Sequence, residues 1–207
     1  TLGILQLLAV MTPGPDFALV IKNSLNYGRR SGLYTVLGII SGMIVHLSYC
    51  IFGLVVLIMH SGFLFSLIKY LGATYLIYLG LKSLSSSDKK TALLAAATLQ
   101  PQGRLRAIQT WRQGFFCNLL NPKASLFFLG IYTLLLHPQA SLPKQFSYAL
   151  EITLISFIGF AAVSCLITYP RFQNYLLQRQ FVLMKLMGLS FIVFGLEVGL
   201  LQTPATL

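Results

Sequence analysis

Charged and amide side chains interrupt two apolar stretches of this sequence, one in each half of the chain. The first stretch carries Asp16 directly after a proline, and the second carries Asn121 and Lys123 around another proline. A charged side chain costs about 2.5 to 3.5 kcal/mol at the centre of a membrane helix, so such a residue usually faces a cavity and binds a partner. We predict that Asp16 takes a substrate ammonium or a coupling proton. We predict that Lys123 holds a substrate carboxylate or neutralises Asp16.

Proline breaks accompany these side chains, in the motifs Thr12-Pro13-Gly14-Pro15-Asp16 and Asn121-Pro122-Lys123. Proline removes a backbone donor and disturbs the preceding helical turn, and hydrocarbon offers the freed groups no other partner. Breaks at matching places in two halves of a membrane protein therefore indicate a transporter's binding site. The predicted substrate-binding or coupling residues are Thr12, Pro13, Gly14, Pro15, Asp16, His46, Asn118, Asn121, Pro122 and Lys123.

Simpler structural roles remain open for several of these residues. Asp16 would then only cap the restarted helix, Lys123 would extend to the cytoplasmic interface, and Asn121 would satisfy the broken backbone. His46 either relays protons, because imidazole titrates near neutral pH, or packs as a neutral hydrogen-bonded side chain. In favour of a site, each helix restart presents unpaired N–H groups and about half a positive charge, which suits a carboxylate ligand.

Composition limits the class of protein. Of 207 residues, 56% are hydrophobic and only 9% are charged, against about 25% charged residues in soluble domains. The mean hydropathy of +0.78 agrees with a polytopic membrane protein. The net charge of +11 is spread over the ends of apolar stretches rather than gathered in one patch, which argues against nucleic acid as a partner. The three cysteines occur singly, so we expect no disulfide framework and no metal site.

The apolar stretches predict six membrane spans, each needing about 20 apolar residues. Three spans per half is an odd number, so two homologous halves would insert with opposite topology. We predict an all-α fold of two inverted three-helix repeats, in which helices 1 and 4 are broken by proline. The chain would form a single transmembrane domain over residues 1–207, with repeat 1 at about 1–84, a cytoplasmic loop at about 85–112 and repeat 2 at about 113–207. The predicted spans are 2–21, 33–58, 63–84, 114–136, 146–169 and 181–201.

The distribution of lysine and arginine predicts the orientation. Most of the 15 basic residues lie in the loops after the first, third and fifth spans, whereas Lys144 lies on the opposite side. Cytoplasmic loops carry the excess of basic residues in membrane proteins. We therefore expect these three loops in the cytoplasm and both termini outside.

Several motifs, taken together in order and spacing, resemble the LysE/RhtB superfamily of bacterial amino-acid exporters. They are T-P-G-P-D at 12–16, G-R-R-x-G at 28–32, G-x-x-x-G-x-x-x-H at 38–46, G-A-T-Y-L-x-Y-L-G at 72–80 and Q-G-F-x-x-N-x-x-N-P-K-A at 113–124. The resemblance implies proton-driven export of amino acids across the bacterial inner membrane. The aspartate after T-P-G-P is similar to the threonine and homoserine branch.

The resemblance also implies partners: an amino acid, protons and the lipid bilayer. It implies no prosthetic group, and association into homo-oligomers is left open. A cation or metal-ion exporter remains an alternative, with Asp16, His46 and Asn121 as ligands. An enzyme is disfavoured, because the sequence contains no G-x-S-x-G, H-E-x-x-H or Walker motif. A scaffold without transport is disfavoured by the intramembrane charges.

Overall fold

The computed structural model of the protein describes residues 2–11, 14–60, 62–85, 105–135 and 141–200. Helices are the regular elements of this described part, which confirms the predicted all-α class there. In chain order they are α1 (Leu2–Val10), α2 (Pro15–Tyr27), α3 (Arg29–His60), α4 (Gly62–Ser85), α5 (Ala107–Leu119), α6 (Pro122–Leu135), α7 (Leu142–Leu166) and α8 (Pro170–Leu200).

Two breaks interrupt the helical chain where prolines predict them. The axes of α1 and α2 are bent by 57° relative to each other. Gly14 caps α2 with extended backbone, and Pro15 occupies the first helical position, where a missing N–H costs nothing. In the second half α5 ends at Leu119, and Pro122 again starts the next helix. Thr12 and Pro13 lie outside the described residues.

The helices have the length and composition of a multi-pass membrane protein. Arg29–Gly53 of α3 and Leu142–Leu166 are each long and apolar enough to cross a bilayer, and the bent α1–α2 pair adds a third span if it crosses as one unit. Large apolar side chains such as Phe63, Leu71 and Leu150 are exposed on the helix surfaces, as expected where lipid covers the protein. The six-span inverted layout stays a prediction.

Several helices begin earlier than the predicted spans, and α5 and α8 do so by the most residues. The helix α5 begins at Ala107 rather than Gly114, and α8 begins at Pro170 rather than Phe181. The added turns are rich in arginine and glutamine. Hydropathy marks the apolar part of a membrane helix, so it misses polar turns that continue the same helix beyond that part.

The packing is organised around α3 and around the pair α4–α8. The helix α3 packs along α5 and also contacts α2 and α7, while α4 packs along α8. A side chain added at Gly38 of α3 would overlap the carbonyl of Trp111, and one added at Gly114 of α5 would overlap the carbonyl of Thr35. The backbones of α3 and α5 are therefore in direct contact, as glycine permits between membrane helices.

Candidate functional site

A cavity of about 50 Å³ lies where the two helix breaks meet. Its walls come from α1, α2, α3, α5, α6 and α7, so both halves of the chain contribute. Apolar walls are supplied by side chains such as Met43, Phe127, Phe128 and Phe160. The polar side chains of the lining are Gln6, Asp16, Asn118, Asn121, Lys123 and Ser156.

Asp16 is the carboxylate of this cavity. It stands in the first turn of α2, where a negative charge is favoured by the helix dipole. Its Oδ2 accepts hydrogen bonds from Asn118 Nδ2 at 2.9 Å and from Asn121 Nδ2 at 3.1 Å. The Cys117 thiol, a weak donor, also interacts with this carboxylate. The N-cap of α2 is Gly14 rather than Asp16. The Asp16 side chain instead accepts the two asparagine bonds, which connect the first half of the chain to the second.

Asn121 serves the helix break and the carboxylate at the same time. Its Oδ1 accepts from the backbone N–H of Lys123 at 3.0 Å, which satisfies one of the unpaired donors at the start of α6. Its Nδ2 donates to Asp16. The backbone role weighed for Asn121 from the sequence is thus present, and its role toward a substrate stays a prediction.

His46 lies behind the cavity wall rather than in the described lining. The residue is 1% exposed, and its Nε2 is 3.0 Å from the carbonyl oxygen of Asn118. A carbonyl only accepts, so Nε2 carries a hydrogen and donates to it, and Nδ1 lies 2.7 Å from the Tyr49 hydroxyl. His46 therefore holds the end of α5, next to the amide that contacts Asp16.

Lys123 lines the same cavity as Asp16. The hydrogen-bond donors to Asp16 Oδ2 in the described residues are the two asparagine amides rather than the Lys123 ammonium. Gly14 and Pro15, also predicted, line the cavity, and Pro122 occupies the first position of α6.

Gln6 and Ser156 belong to the lining but were missed by sequence reasoning. Gln6 Nε2 donates to Ser156 Oγ at 2.6 Å, which joins α1 to α7. The available signal was a single amide in the otherwise apolar stretch Leu2–Val10. Ser156 gives no such signal, because a serine hydroxyl can satisfy itself on its own helix, as Ser156 does with the Ile152 carbonyl.

Metal-ligating side chains do not gather in the described part of the chain. No group of three or more His, Cys, Asp or Glu residues is placed there to hold a metal ion. Cys50, Cys117 and Cys165 are free thiols. The polar groups that meet at the cavity are instead amides, one carboxylate, one ammonium and one hydroxyl.

Comparison with known proteins gives a family and several relatives. Residues 7–202 match the family model described as LysE type translocator. The chain is 33% identical over 199 residues to an uncharacterized membrane protein, YrhP, of Bacillus subtilis (strain 168), covering 92% of this chain and 93% of the relative. It is 28% identical over 198 residues to a leucine efflux protein of Salmonella choleraesuis (strain SC-B67), covering 94% and 91%. It is 28% identical over 175 residues to a threonine efflux protein of Escherichia coli (strain K12), covering 84% of each.

No solved structure matches the chain. The family match is independent of any structure and includes both helix breaks and the residues from Asp16 to Lys123 that surround the cavity. It confirms the resemblance seen in the motifs. The chain belongs to the family of LysE type translocators, within the LysE/RhtB superfamily.

Proposed function

We propose that this protein exports small neutral amino acids from the bacterial cytoplasm across the inner membrane, as a secondary transporter working by proton antiport. Family membership supports export, and relatives named leucine and threonine efflux proteins support amino acids as the substrate class. The observation that carries the proposal is the carboxylate of Asp16, held by two asparagines in a cavity between two broken helices.

Both charges of an amino acid have a counterpart at this cavity. Asp16 offers a negative charge to the substrate ammonium or to a coupling proton. Gly14 at the start of α2 and Lys123 at the start of α6 line the same cavity. Helix N-termini carry about half a positive charge, and half-helix N-termini near the membrane midplane are typical binding elements for substrate carboxylates in transporters. We therefore assign the substrate carboxylate to Lys123 and these helix starts.

Proton coupling is assigned to Asp16 or to His46. His46 contacts the backbone of Asn118, and the Asn118 side chain contacts Asp16. A change of charge at His46 or at Asp16 therefore affects the other residue through Asn118. Protonation from the outside would weaken the hold on a substrate ammonium. Release outside and return of the empty carrier would follow, because a ligand shifts a conformational equilibrium by its differential affinity for the two states.

The packing supports the inverted-repeat architecture that we propose for the whole chain. A two-fold relation between the halves would pair α1 with α5, α2 with α6, α3 with α7 and α4 with α8. The pairs α3–α7 and α4–α8 are in contact, and the packing of α3 on α5 has its counterpart in that of α1 on α7. We propose six spans in one domain, with both termini on the outer side.

The size of the cavity supports a closed state. About 50 Å³ is far below the roughly 300 to 1,000 Å³ of ordinary ligand pockets. Entry of an amino acid therefore requires the helices around the cavity to part, which rocking of one repeat against the other would achieve.

Efflux from proteoliposomes tests this proposal. Vesicles preloaded with radiolabelled leucine, threonine, homoserine or lysine, or with a divalent cation, are assayed with and without a pH gradient. We expect gradient-dependent loss of leucine, threonine or homoserine. Asp16→Asn should slow this efflux roughly ten- to a hundredfold, because hydrogen bonds to a charged group contribute about 1.5 to 3 kcal/mol and about 1.4 kcal/mol is tenfold.

Glu151→Gln is the matched control, since Glu151 is an exposed acid on α7 and its substitution should leave efflux unchanged. Movement of the cation but of no amino acid would contradict the proposal and favour the cation exporter. Full gradient-dependent efflux by Asp16→Asn at normal membrane levels would show that the charge of Asp16 has no part in transport.

A further inference from the structure

Three side chains that line the cavity each carry a buried oxygen atom that accepts no hydrogen bond from the described part of the chain. These atoms are Gln6 Oε1, Asp16 Oδ1 and Asn118 Oδ1. Gln6 and Asn118 are each 3% exposed, and the three residues come from α1, α2 and α5. Buried acceptors without partners are costly and rare in proteins, and three of them around one small cavity indicate a ligand.

The hydrogen-bond network determines which atoms are left over. The Asn118 amide nitrogen donates to Asp16 Oδ2, so the side-chain oxygen of Asn118 is the atom without a partner. The Ser156 hydroxyl donates to the Ile152 carbonyl at 2.7 Å and must therefore accept from Gln6. That bond fixes the Gln6 amide with its oxygen unused. All three unused groups are consequently acceptors.

A primary ammonium is the chemical complement of this arrangement, because it has three N–H donors and no acceptor. A carboxylate has only acceptors and would meet three oxygens. We propose that Gln6 completes, together with Asp16 and Asn118, a three-acceptor site for the α-ammonium group of the transported amino acid. This inference rests on the proposed function and adds to it a binding residue and a preference for an unsubstituted amino group.

Through Gln6, the helix α1 contributes a binding residue to this site. Ser156 on α7 orients Gln6, so Ser156 is a positioning residue, while Gln6 itself touches the substrate. An N-methyl amino acid has one donor fewer and should bind less tightly than its parent. The wild-type protein should therefore discriminate between leucine and N-methyl-leucine, and this discrimination should depend on Gln6.

Exchange kinetics in proteoliposomes test the inference, with labelled leucine as substrate and unlabelled leucine or N-methyl-leucine as competitor. Gln6→Met keeps the length of the side chain and removes the acceptor. We expect roughly a tenfold increase in apparent KM for leucine with little change in the maximal rate, and a smaller preference for leucine over N-methyl-leucine. Ser156→Ala removes the hydroxyl that orients the Gln6 amide and should raise the KM and reduce the preference in the same direction, by a smaller factor.

Gln178→Met, at an exposed position of α8, is the matched control and should behave as the wild type. An unchanged KM and an unchanged preference in Gln6→Met would overturn the inference while leaving amino-acid export standing. A wild-type KM and a wild-type preference in Ser156→Ala would also overturn it, and that result can be obtained even if Gln6→Met fails to reach the membrane. Failure of the wild type to move any amino acid would overturn both proposals.

Discussion

Asn118 is the residue on which the hydrogen bonds of the site converge. Its side chain donates to Asp16, and its carbonyl accepts from both His46 Nε2 and the Asn121 backbone N–H. The carbonyl lies in the last turn of α5, where helix carbonyls lack partners within the helix. His46 and Asn121 thus replace the bonds that the break removes, and they hold Asn118 in place for Asp16.

His46→Phe should lower the free energy of unfolding by about 1 to 3 kcal/mol. The substitution removes two hydrogen bonds, one to the Asn118 carbonyl, which keeps the Asn121 N–H, and one to the Tyr49 hydroxyl, and each bond contributes about 0.5 to 1.5 kcal/mol. Thermal unfolding of the purified protein in detergent measures this change. Tyr49→Phe is the matched control, because it removes the bond to Nδ1 and a side-chain contact with Ser125 but keeps the bond between His46 and the Asn118 carbonyl. A larger loss in Tyr49→Phe than in His46→Phe would contradict the assigned role.

Sequence reasoning found the polar residues around the breaks, and it missed the two that connect α1 to α7. Asp16, Asn118, Asn121 and Lys123 were identifiable because charges and paired amides are expensive in a membrane and stood beside prolines. They lie together around one cavity. The Gln6–Ser156 bond depends on how α1 packs on α7, and one polar side chain on each helix carries no information about that packing.

At the scale of helices, the contact between α3 and α5 positions the site. Gly42 precedes His46 by one helical turn, and Gly114 precedes Asn118 by one helical turn. A side chain at Gly42 would lie 2.9 Å from the Phe115 carbonyl oxygen. The close backbone approach is what brings the His46 ring within reach of the end of α5.

Gly38→Ala should destabilise the fold by about 1 to 3 kcal/mol, the usual cost of overpacking a close contact, because the added methyl would overlap the Trp111 carbonyl. Gly53→Ala is the matched control on the same helix. Among the described residues, no atom outside its own helical turn lies within 4 Å of the position of its new methyl, and alanine favours a helix over glycine by about 1 kcal/mol. The unfolding midpoints of the two variants provide the test, and equal midpoints would contradict the close α3–α5 contact.

A Gly-x-x-x-Gly spacing such as that of Gly38 and Gly42 permits close helix packing, and in this structure the contact that it makes is internal. Its partner could not be identified from the sequence. Gly114 is the single glycine of α5, and hydrophobic periodicity describes one helix at a time. Which helices become neighbours is decided by the tertiary packing of all of them.

At the scale of the whole molecule, the basic loops of the first and second halves meet at one end. Arg29 Nε donates to Thr168 Oγ1 at 2.9 Å, and its guanidinium lies 4.6 Å from the centre of the Tyr169 ring. The segment between α2 and α3 therefore adjoins the segment between α7 and α8. This agrees with the prediction from basic residues that both segments face the same side of the membrane.

Cysteine labelling in intact cells tests that orientation. In a variant with Cys50, Cys117 and Cys165 replaced by serine, Lys144→Cys should react with a membrane-impermeant maleimide from outside. Arg179→Cys should react only after the cells are permeabilised. Both positions are exposed in the structure, so a difference in reactivity reports the side of the membrane. Labelling of Arg179→Cys but not of Lys144→Cys in intact cells would contradict the predicted orientation and indicate the opposite one.

The two asparagine bonds to Asp16 have a mechanical consequence. They join the halves of the chain at the breaks of the first and fourth predicted spans, about midway along each span. Two rigid bodies joined at mid-height can rock about the joint, because any tilt that separates them at one face of the membrane brings them together at the other face. A continuous pore would require the bonds between Asp16 and the asparagines to break. The same carboxylate that we propose as the substrate's anchor would thereby keep the membrane sealed while the carrier turns over.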